Sequence, residues 1–128
     1  MSRILIIDDE VIIRNLLRRI LQGAGHEVFE AENGAVGVQV FRQHQFDLVI
    51  TDLIMKVQGG LKTIAELRQI DSAVKIIAIS GGSVTATETL DDALKAGVQQ
   101  AIRKPFTIQQ ILAAVAQVIG APPPPTRT

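Results

Sequence analysis

An open, doubly wound α/β sheet is the fold this sequence predicts, on three observations. Short apolar runs at Ile4 to Ile7, Leu48 to Thr51, Ile76 to Ile79 and Ala101-Ile102 are continuous rather than alternating, as strands buried on both faces of a parallel sheet are. Segments of helical periodicity separate them, the pattern of strands and helices wound in turn. The runs also stop on chemistry, at Asp8-Asp9-Glu10, Asp52, Ser80 and Arg103-Lys104-Pro105.

Ile4 to Ile7 forms the first strand. Val11, Ile12, Leu16, Leu17, Ile20 and Leu21 then recur at helical spacing, and Gly23 and Gly25 terminate that helix. Glu27 to Ala31 is short and mixed, as an edge strand is. Asn33-Gly34 predicts a turn into a helix over Ala35 to Phe41. After the Leu48 to Thr51 strand, Gly59-Gly60 opens a helix carrying Leu61, Ile64, Leu67 and Arg68. Asp71-Ser72 turns into the Val74 to Ile79 strand, and Gly81-Gly82 loosens the chain beyond it. Thr85 to Ala96 is the weakest helix, because its Thr-rich start has low helix propensity. Gly97 ends it before the Val98 to Ile102 strand. Thr107 and Gln110 form a capping box, and the helix they open is expected to bury Ile108, Ile111, Leu112, Val115, Val118 and Ile119. The result is a (βα)5 three-layer sandwich. Residues 1–120 form one domain, and residues 121–128, with four consecutive prolines, form a polyproline-type tail or the start of a linker.

Composition narrows the function classes. Thirteen Lys and Arg balance thirteen Asp and Glu, so the domain is not expected to bind nucleic acid directly. With no Cys, disulfides, thiolate metal sites and Cys nucleophiles are excluded. No apolar stretch approaches the roughly 20 residues that span a bilayer, and no signal-peptide pattern opens the chain. A soluble, cytoplasmic domain without a membrane association is the expectation.

In a five-stranded sheet of order 2-1-3-4-5, ligands bind where the winding reverses, beyond the carboxyl ends of the first and third strands. That places Asp8 and Asp9 opposite Asp52. Carboxylates so close repel one another unless a cation sits among them, and an oxygen-only ligand set favours Mg²⁺. Asp52 is the candidate nucleophile, with the Lys104 ammonium and the Ser80 hydroxyl placed to stabilise the charge of a transferring phosphoryl group. Singly, each residue has a plainer reading as a helix cap, a turn residue or a loop cation. Their joint placement at successive strand ends is what points to a phosphoryl site. His26 and His44 stand in polar surroundings and are expected to face solvent. No glycine-rich stretch carries the Lys-Ser/Thr of a P-loop, so the phosphoryl group must come from another molecule.

At these residues the chain resembles the receiver domain of two-component response regulators, the chemotaxis-regulator-like family with a flavodoxin-like sheet. Ile-Leu-Ile-Ile-Asp-Asp-Glu, Asp-Leu-Ile-Met, Ile-Ala-Ile-Ser-Gly and Arg-Lys-Pro-Phe carry the resemblance in order, over about residues 3 to 120. It implies a signalling domain rather than an enzyme. Asp52 would be the phosphoacceptor, and Asp8, Asp9, Asp52 and the backbone carbonyl of Ile54 would hold Mg²⁺. Ser80 and Lys104 would contact the phosphoryl group, and the Lys104-Pro105 bond would be cis. A sensor histidine kinase or phosphotransfer protein would dock near the first helix. A protein effector or an output domain would read the face made by the fourth helix, last strand and last helix, the face through which a homodimer would also form. The chain departs from the family pattern in two places: Lys56 stands where Pro is usual, and Ala101 where many members carry Tyr or Phe. Two other readings compete. A haloacid-dehalogenase-like phosphohydrolase would need D-x-D after the first strand, where Asp8 and Asp9 are adjacent. A receiver-like docking module that is never phosphorylated would not need the full residue set.

Overall fold

The computed structural model describes residues 2–53, 58–81 and 90–120. In chain order the elements are β1 (Arg3–Ile7), α1 (Val11–Gly23), β2 (Glu27–Ala31), α2 (Gly34–Gln43), β3 (Leu48–Asp52), α3 (Gly60–Ile70), β4 (Ile76–Ser80), α4 (Leu90–Lys95), β5 (Gln100–Arg103) and α5 (Ile108–Ile119). All four strand pairings are parallel, in the order β2-β1-β3-β4-β5, with Glu27 to Ala31 at the edge as its mixed composition predicts. The tail 121–128 and the Thr-rich 85–89 start of the fourth helix lie outside the described residues.

Alternation along the strands divides the interior into two cores. Leu5, Ile7, Val49, Ile76 and Ala78 face the side covered by α2, α3 and α4. Ile4, Ile6, Leu48, Ile50, Ile77 and Ile79 face the side covered by α1 and α5. Burial on both faces is why these strands read as unbroken apolar runs.

Several local expectations are corrected. Asn33 is a helix cap rather than a turn residue: its Oδ1 accepts from the Val36 amide at 2.9 Å. Val74 sits in the turn before β4, its amide donating to the Asp71 carbonyl. The last strand starts later than Val98, because the Gln99 side chain takes the Ile76 amide at 2.8 Å. His26 is buried, not solvent-facing: left-handed Gly25 (φ 93°) turns the chain inward at that point, and no hydrogen bond reaches its Nδ1. Burial lowers its pKa. The Thr107–Gln110 capping box forms as predicted. The helix it opens turns Ile111, Ala114 and Val115 inward and leaves Ile108 and Leu112 exposed, since the apolar stripe is wider than the face the sheet covers.

Gly60 fixes the approach of α3 to the end of β3. A Cβ there would lie 2.6 Å from both the Asp52 carbonyl oxygen and the Leu53 Cα, main-chain atoms that cannot swing aside. Gly60→Ala is expected to cost about 1–3 kcal/mol by overpacking, measured by urea unfolding. Gly23→Ala is the matched control: nothing lies within 4 Å of the place its methyl group would take, so it should be neutral or stabilising by up to about 1 kcal/mol.

Candidate functional site

The carboxyl ends of the strands deliver the predicted residues to one crevice. Asp8 follows β1, and its amide extends the β1–β2 ladder by donating to the Ala31 carbonyl at 3.1 Å. Its Oδ1 accepts from the Glu10 amide at 2.8 Å. Asp52 is the last residue of β3, in register with Ile79. Ser80 ends β4, buried, and its carbonyl accepts from the Lys104 amide at 2.8 Å. That bond sets the path of the chain after β5, and the Lys104-Pro105 peptide is cis, as the resemblance implies.

Lys104 is the centre of the cluster. Its Nζ lies 3.3 Å from Asp8 Oδ2, 2.9 Å from Glu10 Oε2 and 3.0 Å from Asp52 Oδ2. Asp8 and Asp52 are buried while Asp9 and Glu10 open to solvent, and carboxylate oxygens of all four lie within 4.8 Å of one another. Four carboxylates around one ammonium are under-neutralised, and their donors are all oxygen. The residues present therefore fit a hard divalent cation.

The electrostatics of the crevice follow from that imbalance. Burial raises the Asp8 pKa to about 6, and the Asp52 charge adds to the rise, against the lowering by the Glu10 amide and Lys104. Burial alone would lower the Lys104 pKa, but its hydrogen bonds to Glu10 and Asp52 and the charges of Asp52 and Asp8 raise it instead. Both shifts are upward, so both contributions are lost as pH rises, and only the pH window differs. Folded Asp8 binds its proton more tightly than the unfolded chain does, so its stabilising contribution is complete below pH about 4 and is lost as pH rises through about 6. Lys104 contributes fully across the neutral range, because its raised pKa delays any loss until alkaline pH. A cation bound at Asp8 must displace the proton below pH about 6. Mg²⁺ affinity, followed by NMR titration, is therefore expected to fall up to about tenfold per pH unit below that point and to level off above it. A flat profile from pH 5 to 8 would count against Asp8 as a ligand.

Asp8, Asp52 and Lys104 meet directly, Asp9 joins the acidic cluster, and Ser80 stands on the strand next to Asp52. The Ile54 carbonyl and Lys56 lie outside the described residues. Sequence reasoning missed Glu10 as a partner of Lys104: the third acid of the run Asp8-Asp9-Glu10 is in view there, but it carries no role in the site. Glu10 does stand at the N-cap of α1, yet its side chain makes no capping hydrogen bond. On the far edge, Ala101, Ala113 and Ala114 line a groove of about 500 Å³ between β5 and α5.

Comparison with known proteins gives a consistent result. Residues 4–116 match the response regulator receiver domain. The chemotaxis protein CheY of Bacillus subtilis is 36% identical over 92% of this chain and 98% of its own length. CheY of Halobacterium salinarum is 33% identical, over 94% and 98% respectively. Among solved structures, the response regulator TrrA of Thermotoga maritima, in complex with Mg²⁺ and BeF, superposes with a TM-score of 0.81 at 32% identity, covering 92% of this chain and 99% of that one.

Proposed function

This chain belongs to the response regulator receiver domain family and is a CheY-like signalling domain, and on that premise we propose that Asp52 is its phosphoacceptor and Mg²⁺ its cofactor. The observation that carries the proposal is the Lys104 ammonium bonded at once to Asp8, Glu10 and Asp52. An Asp52 carboxylate oxygen attacks the phosphorus of a phosphohistidine on a partner kinase or phosphotransfer protein, so an O–P bond forms as the N–P bond breaks. Asp8, Asp9 and Asp52, with the Ile54 carbonyl that the resemblance implies, would hold the metal. Bound there, Mg²⁺ supplies positive charge against the phosphoryl oxygens. That TrrA was solved with Mg²⁺ and BeF supports this ligand class.

The remaining steps belong to the chain. Lys104, already donating to Asp52 Oδ2 at 3.0 Å, follows the negative charge onto a phosphoryl oxygen. Ser80, beside Asp52 on β4, contacts a second. Because the Lys104 amide is bonded to the Ser80 carbonyl, movement at the end of β4 is shared with the start of the β5–α5 turn. The phosphoryl group interacts better with that arrangement, shifting the population of the face made by α4, β5 and α5 toward the form an effector reads. With Ala101 on β5, coupling runs through Ser80 and the backbone rather than through a ring. Exposed Val11, Ile12 and Leu16 on α1, with Ile108 and Leu112 on α5, support docking of the phosphodonor beside the site. Among the described residues no helix is long and apolar enough to cross a membrane.

Incubation with a small phosphoanhydride and Mg²⁺, followed by intact-mass measurement, tests this reading. One phosphoryl adduct is expected, and chelation of the metal should prevent it. An adduct that forms equally well in chelator would defeat the Mg²⁺ assignment.

A further inference from the structure

We infer that Arg14 is a positioning residue for the metal-bearing turn: by holding the main-chain carbonyl of Asp8 against Glu30 of the edge strand, it sets the placement of Asp8 and Asp9 and through them the affinity for Mg²⁺. The inference rests on the Mg²⁺ reading above. Arg14 Nη1 donates to the Asp8 carbonyl oxygen at 2.7 Å, and its Nε lies 3.4 Å from Glu30 Oε1. Arg18 Nη1 takes the other Glu30 oxygen at 2.8 Å, and Arg18 Nη2 donates to Asn15 Oδ1 at 3.1 Å. The Arg14 side chain is only 16% exposed.

The place of this arginine is unfavourable for its own helix. It lies near the amino end of α1, where the peptide dipoles present positive charge, and the first turn holds no acid to offset it. What keeps the guanidinium there is the Asp8 carbonyl on one side and Glu30 on the other. With Arg14 in place, Asp8 is fixed at every polar group: amide to Ala31, carbonyl to Arg14, carboxylate to the Glu10 amide and Lys104. Asp9 follows directly from the held carbonyl. Rotation of that peptide unit would swing the Asp9 side chain and shift that of Asp8, so a metal that needs both at fixed separation senses the Arg14 contact.

The sign of the effect separates positioning from charge. Removing a cation beside an acidic cluster should tighten Mg²⁺ binding on Coulombic grounds alone, whereas loss of positioning should weaken it. The test is Mg²⁺ titration of the full chain, read from the amide resonances of Asp9 and Glu10, since there is no Trp or Tyr to report by fluorescence. Arg14→Gln is expected to raise the Mg²⁺ dissociation constant about tenfold, as loss of an outer-shell partner does. Arg14→Lys should recover part of the loss, and Glu30→Gln should weaken binding by a smaller factor. The rate of phosphoryl uptake at saturating Mg²⁺ should fall by a smaller factor than the affinity does, because Arg14 acts on the placement of the metal-bearing turn and not on the reacting atoms. Unchanged or tighter Mg²⁺ binding in folded Arg14→Gln would overturn the inference. If that variant does not fold, unchanged affinity in Glu30→Gln does the same. Failure of the wild type itself to bind Mg²⁺ would overturn the metal reading, and this inference with it.

Discussion

Asn in place of Asp52 is expected to abolish phosphoryl uptake while leaving the fold as stable as before. The two side chains have nearly the same shape, and the buried position at the end of β3 accepts either. An amide oxygen can still accept from Lys104, so the 3.0 Å contact keeps a donor and an acceptor. What disappears is a nucleophilic carboxylate and one negative charge. That charge raises the Asp8 pKa, so its removal relieves part of the repulsion in the crevice and offsets the weaker hydrogen bond to Lys104. The stability change should therefore fall within about 1 kcal/mol of zero. Intact mass after treatment with phosphodonor and Mg²⁺, set beside a urea melt, checks both halves. Loss of the adduct together with a large loss of stability would mean that Asp52 is needed for the fold, and the chemical conclusion would not follow.

Lys104→Ala should destabilise the fold in a way that depends on pH and on Mg²⁺. It removes the ammonium that three carboxylates share and leaves buried Asp8 and Asp52 facing each other. Breaking a buried ion pair costs about 3–5 kcal/mol when the abandoned charge has no escape. Here Asp8 has one, because its pKa already stands at about 6 and taking up a proton at pH 7 costs only about 1.4 kcal/mol per pH unit. A loss of about 2 kcal/mol is expected at neutral pH. It should shrink toward pH 5, where the acids protonate, and grow toward pH 8. Added Mg²⁺ should restore more stability to this variant than to wild type, since the cation replaces the missing charge and binds only the folded site. Urea unfolding at pH 5 and 8, with and without Mg²⁺, reads all three trends. A pH-independent loss insensitive to Mg²⁺ would mean that Lys104 acts through packing of its stem and not through its charge.

The fold was legible because the strands are buried on both faces, so their apolar runs end abruptly and the residues after them stand out. Ile7 before Asp8 and Ile79 before Ser80 are cases of this. Capping at Thr107 was also readable, because both halves of the box lie within four residues. Misreadings occurred where local chemistry served two structures. Asn33-Gly34 suits a turn and a helix start equally, and only the Val36 amide decides. His26 looked solvated because its sequence neighbours are polar, yet Gly25 turns it inward. Ile108 and Leu112 carry the right periodicity for the core, but periodicity gives the direction of a stripe and not how much of it a neighbour covers. Glu10 and Arg14 went unseen as members of the site for a related reason. Their partners lie at Lys104 and Glu30, and no spacing along the chain links a helix start to a distant loop or an edge strand.

The central claim is that the phosphoryl group sits on one carboxylate, that of Asp52. Reduction of the freshly phosphorylated chain with borohydride converts an acyl phosphate to the corresponding alcohol, leaving homoserine where the phosphorylated aspartate stood. Peptide mapping should place homoserine at position 52 alone. Homoserine at position 8 or 9, or a phosphoryl group that survives reduction because it is bound to a hydroxyl such as that of Ser80, would contradict the assignment.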